Sequence, residues 1–249
     1  MKEAIRKYLL TLWFDSAIQN NKTLAYYIEP TTKARVLEIG CYNGTLIVER
    51  VGNIEKPDIY GIDIDPDAVS ASKRLGIKAV KGDVEDGLPF DSNFFDIVSA
   101  NQIIEHLVNV DKFIKEIYRV LRPKGYLVLS TENLSSWHNI FALCLGWQAF
   151  SQHISTLRNV GNPLRLAKYE GYRPSGMHVK IFTPRGLREL FELYGFKIEK
   201  SYGAGYYPFP PLVSRLLSHI DPLHAPFIGF KARKRSVIPR QTPKRAAHL

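Results

Sequence analysis

A pair of glycines that follows an acidic residue is the part of the sequence best suited to bind a small molecule. Glu38 ends an apolar run, and Gly40 and Gly44 come next, just before a helical stretch. Gly40 lets the backbone approach a ligand closely, and Gly44 lets the following helix pack against the strand that feeds it. Amides at that helix N-terminus would bind a carboxylate, whereas Glu38 would attract a cationic group. The turn therefore predicts a ligand with both an ammonium and a carboxylate group.

The spacing of these glycines argues against a phosphate in the ligand. The sequence has Gly-x-x-x-Gly instead of the Gly-x-Gly-x-x-Gly that cradles a pyrophosphate, and no Gly-Lys-Ser/Thr follows for a triphosphate. Glu38 would also repel a phosphate. A nucleoside with an amino-acid side arm satisfies these conditions, and S-adenosylmethionine is such a compound.

Acidic residues after the second and third predicted strands could hold the nucleoside. Asp63 lies about 20 residues past the glycine turn, where a carboxylate can accept both ribose hydroxyls. Asp83 could accept a hydrogen bond from the exocyclic amine of adenine, and the Val84 amide could donate to its ring. Asp65, by contrast, is predicted to be a helix N-cap, with Pro66 at the first helical position.

The order of these features resembles the motifs of the class I S-adenosylmethionine-dependent methyltransferases. The matching segments are 38–44, 61–66, 82–84, 88–90, 95–98, 105–107 and 121–126, within roughly residues 34 to 131. The similarity is to the small-molecule type of this family, as in ubiquinone and menaquinone biosynthesis. It implies S-adenosylmethionine as the cofactor. The implied cofactor-binding residues are Glu38, Gly40, Gly44, Asp63, Asp83, Val84 and Asn101.

Two histidines are candidates for a general base. His106 stands just past the fourth predicted strand, where open α/β sheets place their chemistry, although it could equally be a structural histidine. In small-molecule members of the family, a histidine ahead of a Phe-Thr helix start often points at the pocket, and His178 has that position. Because the sulfonium activates its own methyl group, we expect no metal, and a base helps only if the acceptor starts protonated.

The elements that must position these residues form a predicted α/β fold. Strands are expected at 36–39, 58–62, 77–80, 94–100, 126–130, 196–200 and 227–232, with helices between them. This pattern, with the family resemblance, predicts a Rossmann-like, doubly wound, seven-stranded sheet with an antiparallel last strand and helices on both faces. We expect a single domain over 1–232, made of a helical cover (3–28), a cofactor-binding core (34–131) and two apolar insertions (132–182 and 203–225). A basic, disordered tail would follow at 233–249.

The roles of the helical cover and of the first insertion stay open at this stage. Tyr8 and Trp13 could line a lid over the pocket or simply pack on the sheet. The aromatic-rich stretch 137–150 could be a substrate lid, an element on a bilayer surface or a packed insertion.

Charge is distributed unevenly along the 249 residues. Residues 1–130 hold 17 Lys and Arg against 18 Asp and Glu, whereas residues 131–249 hold 17 against 6, which gives the formal net charge of +10. Such asymmetry could steer an anionic partner or hold the protein near an anionic surface, or it could be a solvated basic face. Only two cysteines are present, and no apolar stretch approaches the roughly 20 residues of a bilayer span. We therefore expect a cytoplasmic protein, with the inner membrane surface as an option.

Three functions are compatible with the sequence. The first is transfer of a methyl group to an oxygen or carbon of a small or lipid-linked acceptor, an anionic one included, because of the apolar insertions and the basic half. The Pro-Pro-aromatic stretch usual in nucleic-acid amino-methyltransferases is absent. The second is an RNA methyltransferase, since basic residues and tyrosines alternate in one segment: Arg158, Arg165, Lys168, Tyr169, Tyr172, Arg173 and Lys180. The third is a non-catalytic cofactor-binding protein.

Overall fold

A computed structural model describes residues 2–155, 157, 159–164 and 177–235. In this part of the chain, all the predicted strands are present. They are β1 (Thr31–Ile39), β2 (Ile54–Asp63), β3 (Lys78–Lys81), β4 (Phe95–Asn101), β5 (Leu121–Glu132), β6 (Phe196–Ala204) and β7 (Phe227–Lys234). β1, β2 and β5 begin before the apolar runs that predicted them. Pairing extends into polar positions, for example Thr31 with Ile54, because a backbone hydrogen bond does not require an apolar side chain.

The strands form one sheet in the order β3-β2-β1-β4-β5-β7-β6. β1 pairs in parallel with β2 and β4, and β4 pairs in parallel with β5. β7 is inserted between β5 and β6 and runs antiparallel to both. The predicted doubly wound sheet with an antiparallel last strand is confirmed. Strand order reverses between β1 and β4, which is where open α/β sheets bind ligands.

The described helices are α1 (Lys2–Tyr26), α2 (Thr45–Arg50), α3 (Pro66–Arg74), α4 (Val110–Val120), α5 (Trp137–Cys144), α6 (Pro184–Leu193) and α7 (Pro211–Ile220). Two predicted caps are confirmed. Asp65 accepts a hydrogen bond from the Asp67 amide at the start of α3, and Thr183 accepts one from the Gly186 amide at the start of α6. Each cap satisfies an amide that lacks an intrahelical partner.

The core lies on both faces of the sheet because successive strand side chains point in opposite directions. Leu37 and Ile39 of β1 pack in a cluster with α4 and α6. Val36 belongs to a second cluster with side chains from α1, α2 and α3. Alternate residues of β1 therefore pack against different helices, one set against α4 and α6 and the other against α1, α2 and α3.

α1 is a single helix of 25 residues whose C-terminal half is fixed to the sheet. Asn20 is buried; it donates to Asn101 in β4 and accepts from Ser130 in β5 and from Tyr202 in β6. Trp13 packs against Phe227, with ring centroids 5.0 Å apart. These contacts agree with packing on the sheet, which is one of the two roles expected of this helix. Among the described helices we find no candidate for a membrane span, α1 included.

Each apolar insertion contributes one described helix, α5 in the first and α7 in the second. The structure describes only part of the first insertion. Most of the basic, tyrosine-bearing segment lies outside the described residues, as does the tail beyond residue 235.

Candidate active site

A cleft of about 410 Å³ opens at the carboxyl ends of β1, β2 and β4, and we call it the cofactor cleft. Its lining includes the predicted site residues Gly40, Asp63, Asp83, Val84 and His106. The other lining residues are Tyr42, Ile62, Ile64, Asp65, Gly82, Glu85, Gln102, Ile103 and Leu107. The structure thus brings together side chains that lie up to 67 positions apart in the sequence.

The backbone of the glycine turn forms one wall of the cofactor cleft. Gly40 has φ of +72°, and a Cβ at this position would collide with Cδ1 of Ile103. The Tyr42 amide donates to Oδ2 of Asp63 at 2.8 Å, and the Asp65 amide donates to Oδ1 of Asp63 at 3.0 Å. These bonds fix the Asp63 carboxylate at the cleft wall. Only glycine combines this backbone conformation with the close approach of Ile103.

The opposite wall comes from the loop after β3. Asp83 accepts a hydrogen bond from the Glu85 amide at 2.9 Å, and this bond orients its carboxylate. A Cβ at Gly82 would lie 2.9 Å from Cδ1 of Ile62, so the loop can approach β2 closely only with glycine there. Two carboxylates and apolar side chains such as Ile62 therefore face one space. This set fits the hydroxyls and amine of a nucleoside, and so it fits the S-adenosylmethionine expected from the sequence.

Gly44 lies beside the cleft instead of lining it. It is the left-handed N-cap of α2, with φ of +82°. A Cβ there would lie 2.5 Å from Cδ1 of Ile77 and 3.1 Å from Oγ of Ser72. The nearest atoms to this added Cβ belong to Ser72 of α3 and to Ile77, the residue before β3, so Gly44 permits close packing of these elements.

Glu38 is not among the residues that line the cofactor cleft, and its Oε2 is buried without a hydrogen-bond partner among the described residues. It shares its side of β1 with Val36, towards α1 and α2. Its Oε1 lies 2.6 Å from Nη1 of Arg50, and that nitrogen also donates to Ser99 at 2.9 Å. The chain itself therefore supplies the cation. Any direct contact of Glu38 with a cofactor stays a prediction.

Asn101 also points towards α1. Its Oδ1 accepts a hydrogen bond from Nδ2 of Asn20 at 3.0 Å, and it is not among the residues that line the cofactor cleft. Its predicted contact with the cofactor likewise stays a prediction. In this structure Asn101 connects the end of β4 to the N-terminal helix.

Three histidines lie together at the edge of the cofactor cleft, and we call them the histidine cluster: His106, His153 and His178. The ring centroids of His106 and His178 are 4.9 Å apart, and those of His153 and His178 are 5.0 Å apart. The Glu105 carbonyl accepts hydrogen bonds from the Val179 and Lys180 amides, which fixes the segment that carries His178. The two predicted base candidates are thus neighbours.

The hydrogen bond of His178 defines its tautomer. Its Nδ1 lies 2.8 Å from the Ser151 carbonyl oxygen, which can only accept, so Nδ1 carries the proton and Nε2 has a free lone pair. Burial lowers the pKa of His178 below its usual value, as it does for His106. Burial and the neighbouring histidines lower the pKa of His153 to about 4. His178 is therefore neutral at pH 7, as a general base must be.

Two buried carboxyl groups adjoin the cluster. Burial raises the pKa of Glu105 to about 8 and that of Glu132 to about 7. Glu105 accepts a hydrogen bond from the Thr131 hydroxyl at 2.8 Å, and an oxygen of Glu132 lies 3.6 Å from Nδ1 of His178. Titratable groups shifted towards neutrality in this way are common at catalytic sites.

Glu105, His106 and His178 also offer ligand atoms that all lie within 4.8 Å of one another. Imidazole nitrogens with a carboxylate form a donor set that suits a divalent transition metal. No metal was expected from the sequence, in which Glu105 and His178 lie 73 positions apart.

An apolar cavity of about 720 Å³ lies beyond the histidine cluster, and we call it the apolar cavity. α1, α5 and the segment before α7 enclose it, and its lining residues are Ile5, Arg6, Leu9, Trp137, His138, Phe141, Phe150, Pro163, Leu164, Tyr206, Tyr207, Pro208 and Phe209. Phe150 lines this cavity, and the next residue, Ser151, accepts the hydrogen bond from His178. Within the histidine cluster, His106 lines the cofactor cleft, and His178 is connected to the lining of the apolar cavity through Ser151.

Several residues of this site are absent from the sequence-based candidates. Glu132 and His153 lie in or next to the first insertion, where no regular pattern marks them. Glu105 has a local signal, because it is an acidic residue that follows Ile103 and Ile104 and precedes Leu107 by two positions. That context predicts a buried carboxyl group, which is what the structure shows.

Comparisons with known proteins agree with this geometry. The family model described as a methyltransferase domain matches residues 5–201. The mitochondrial ubiquinone biosynthesis O-methyltransferase of Rattus norvegicus is 25% identical over 194 residues, 73% of this chain and 49% of that protein. A fatty-acid O-methyltransferase of Mycolicibacterium smegmatis is 35% identical over 99 residues, 38% of this chain and 35% of that protein. The alignments thus span about half the length of these curated relatives, or less.

The comparison with solved structures shows a shared fold. A crystal structure of an S-adenosylmethionine-dependent methyltransferase from Thermotoga maritima, a possible histamine N-methyltransferase, has a TM-score of 0.61 at 16% identity. The superposition covers 94% of this chain and 95% of that one, which shows a shared fold. Because the family model covers most of the chain, and because the glycine turn and both acidic loops meet in one cleft, the chain belongs to the methyltransferase-domain family, whose methyl donor is S-adenosylmethionine.

Proposed function

We propose that this chain transfers a methyl group from S-adenosylmethionine to an oxygen or carbon atom of a lipid-linked acceptor. One observation carries the proposal: in the histidine cluster, His106 lines the cofactor cleft, and His178 is connected through Ser151 to the lining of a large apolar cavity. A reactive head group could then meet the donor beside His178, and its apolar tail could occupy the second space.

The residues of the cofactor cleft have defined roles in this proposal. Asp63 accepts hydrogen bonds from the ribose hydroxyls, and Asp83 accepts one from the adenine amine. The Val84 amide donates to the adenine ring, and the backbone at Gly40 contacts the donor. The donor contacts predicted for Glu38 and Asn101 stay predictions, and the hydrogen bonds of these residues to Arg50 and Asn20 position the ends of β1 and β4.

The donor, when bound, supplies a methyl group that its sulfonium has already activated. The chain contributes mainly alignment of the acceptor atom, an effect worth roughly 7–11 kcal/mol in well-oriented systems. Nε2 of His178 takes the acceptor proton, and the Ser151 carbonyl oxygen, 2.8 Å from Nδ1, stabilises the imidazolium that forms. His106, which lines the cleft, excludes water from the reacting atoms.

Relatives support a lipid-linked acceptor. Those aligned with this chain are named for methylation in ubiquinone biosynthesis and for methylation of fatty acids. Both names indicate apolar acceptors, in line with the apolar cavity. We also propose a location in the cytoplasm at the inner membrane surface, since Cys41 and Cys144 are free thiols, as expected in a reducing compartment.

RNA methylation depended on the basic, tyrosine-bearing segment, most of which lies outside the described residues. RNA methylation is therefore an outcome of the test below. The same holds for a non-catalytic, cofactor-binding protein.

A labelling experiment separates these functions. Purified protein and S-adenosylmethionine with a tritiated methyl group are incubated with detergent-solubilised cell extract, which is then divided into lipid, glycan and RNA pools. We expect label in the lipid pool. Label confined to RNA would contradict the proposal, and so would donor binding without any transfer.

Substitution of His178 tests the mechanism in the same assay. His178→Ala should lower turnover by about 10²–10⁴-fold, the usual contribution of a general base. Its affinity for the donor in calorimetric titration should match that of the wild type. His219→Ala, at an exposed position of α7, is the control and should keep full turnover. Unchanged turnover in His178→Ala would remove this residue from the mechanism.

A further inference from the structure

The helix α7 buries its serines and exposes its large apolar side chains. Ser214 and Ser218 are 2% and 3% exposed, whereas Leu212, Leu216 and Ile220 are 82%, 62% and 71% exposed. This arrangement is the reverse of a surface helix in a water-soluble domain, where the apolar side faces the core. Ser218 accepts a hydrogen bond from Gln19 of α1, so the serine side is the attached one.

The exposed side chains of α7 form one continuous ridge. Leu212, Leu216 and Ile220 follow one another at intervals of four residues, which places them along one side of a helix. We call these three residues the apolar ridge. A contiguous apolar surface of this kind marks a site of interaction with another molecule or with a membrane.

Cationic side chains lie on the flank of the apolar ridge. Arg215 is exposed on α7, and Lys22 is exposed on α1. Both line the groove of about 660 Å³ between these two helices. An apolar ridge beside basic groups is the pattern of helices that lie in the interface of anionic membranes.

The apolar ridge also adjoins the entrance to the apolar cavity. Phe209 lines the cavity and precedes the first residue of α7, Pro211, by two positions. Leu212 follows at once. Phe209, which is 44% exposed, therefore connects the lining of the apolar cavity to the start of α7.

From these observations we propose that α7 docks on an anionic phospholipid bilayer, with the apolar ridge among the acyl chains and Arg215 and Lys22 at the lipid phosphates. Docking would place the mouth of the apolar cavity against the bilayer. The lipid-linked acceptor then reaches the histidine cluster without crossing water. The docking surface specifies which face of the protein meets the membrane, and the delivery of the acceptor rests on the proposed function.

Vesicle sedimentation tests the proposal without any methyl-transfer assay. The full chain is mixed with vesicles of phosphatidylcholine alone, or of phosphatidylcholine with phosphatidylglycerol. We expect stronger binding to the anionic vesicles. Leu216→Gln/Ile220→Gln should bind them at least about tenfold more weakly, because each of these side chains contributes apolar burial. Arg215→Glu should weaken binding by about tenfold and only in the presence of phosphatidylglycerol.

Matched variants keep the test specific. Leu75→Gln/Leu193→Gln removes two side chains that are 49% and 52% exposed on other elements, and Arg185→Glu reverses an exposed charge on α6. Both controls should bind vesicles as the wild type does. Circular dichroism verifies that every variant is folded.

Three results would overturn the proposal. The first is that the wild type does not bind anionic vesicles. The second is that Leu216→Gln/Ile220→Gln binds them as well as Leu75→Gln/Leu193→Gln does. The third is that the wild type forms a dimer in solution and only Leu216→Gln/Ile220→Gln is monomeric. The dimer would mean that a second copy of the chain covers α7. Sedimentation does not require an acceptor, so it is independent of the methyl-transfer assay. Absence of vesicle binding would contradict docking but not methyl transfer, and absence of methyl transfer would not contradict docking.

Discussion

The carboxylate of Glu38 lies 2.6 Å from the guanidinium of Arg50, and both side chains are buried between β1 and the helices α1 and α2. Arg50 also donates to Asn21 at 2.6 Å and to Ser99 at 2.9 Å. The acid of the glycine turn is thus committed to an internal ion pair. This relationship connects the stability of the fold to the geometry of the cofactor cleft.

Loss of the cation should destabilise the protein strongly. Arg50→Met leaves Glu38 as an unpaired charge in the core, and breaking such a buried pair costs about 3–5 kcal/mol. Chemical denaturation should show this loss in the free energy of unfolding. The control, Arg185→Met, breaks the exposed pair with Glu189 and should cost less than about 1 kcal/mol. Equal losses in the two variants would contradict the importance of burial.

Gly40 should be essential for donor binding. In Gly40→Ala, the new methyl group collides with Ile103, and the residue is strained at φ of +72° by roughly 1–3 kcal/mol. We expect affinity for S-adenosylmethionine to fall about tenfold or more in calorimetric titration.

The control for this variant is Gly76→Ala. Gly76 has φ of +81°, but nothing lies within 4 Å of its added Cβ. The same backbone strain should then lower stability by about 1 kcal/mol and leave donor affinity unchanged. Weakened donor binding in both variants would indicate a general effect of strain and not the contact with Ile103.

The pH dependence of turnover should report His178. Burial lowers its pKa below 6.5, so the neutral base is present at pH 7 and is lost only on acidification. Methyl incorporation measured between pH 5 and pH 8 should fall with a midpoint below 6.5. The residual activity of His178→Ala should not show this fall at acidic pH. A midpoint above 6.5, or the same fall in the variant, would assign the titration to another group.

The buried carboxyl group of Glu105 should make stability depend on pH. Its pKa is raised from 4.5 to about 8 by burial, so the folded state holds a proton that the unfolded state releases. The stabilising contribution is complete below pH 4.5 and is lost as the pH rises to about 8. Glu105→Gln cannot ionise, and it should be more stable than the wild type at pH 9 by at least about 1 kcal/mol.

Thermal unfolding at pH 5 and pH 9 measures this difference. Glu55→Gln, at an exposed position of β2, should follow the wild type at both pH values. If the difference in stability between Glu105→Gln and the wild type is the same at pH 5 and pH 9, Glu105 is already ionised in the folded protein.

The glycine turn and the strands could be predicted from the sequence because both depend on residues that are close together along the chain. Apolar runs predicted every strand of the sheet, and the glycines and following acids predicted the cofactor cleft, in which Gly40, Asp63, Asp83 and Val84 do meet. Backbone conformation at Gly40 and the caps at Asp65 and Thr183 depend on residues a few positions away. Such short-range preferences are present in the sequence itself.

Long-range packing decided the orientation and the partners of the other side chains. Nothing near Glu38 in the sequence indicates that it pairs with Arg50 of the following helix. The histidine cluster joins His106 to His178 across 72 positions, and α7 turns its serines inward only because α1 is there to receive them. Orientation, burial and pKa depend on which distant elements remove a side chain from water. The sequence by itself therefore determined the family and the cofactor cleft, and the tertiary structure decided which charges face that cleft and which apolar surface remains exposed.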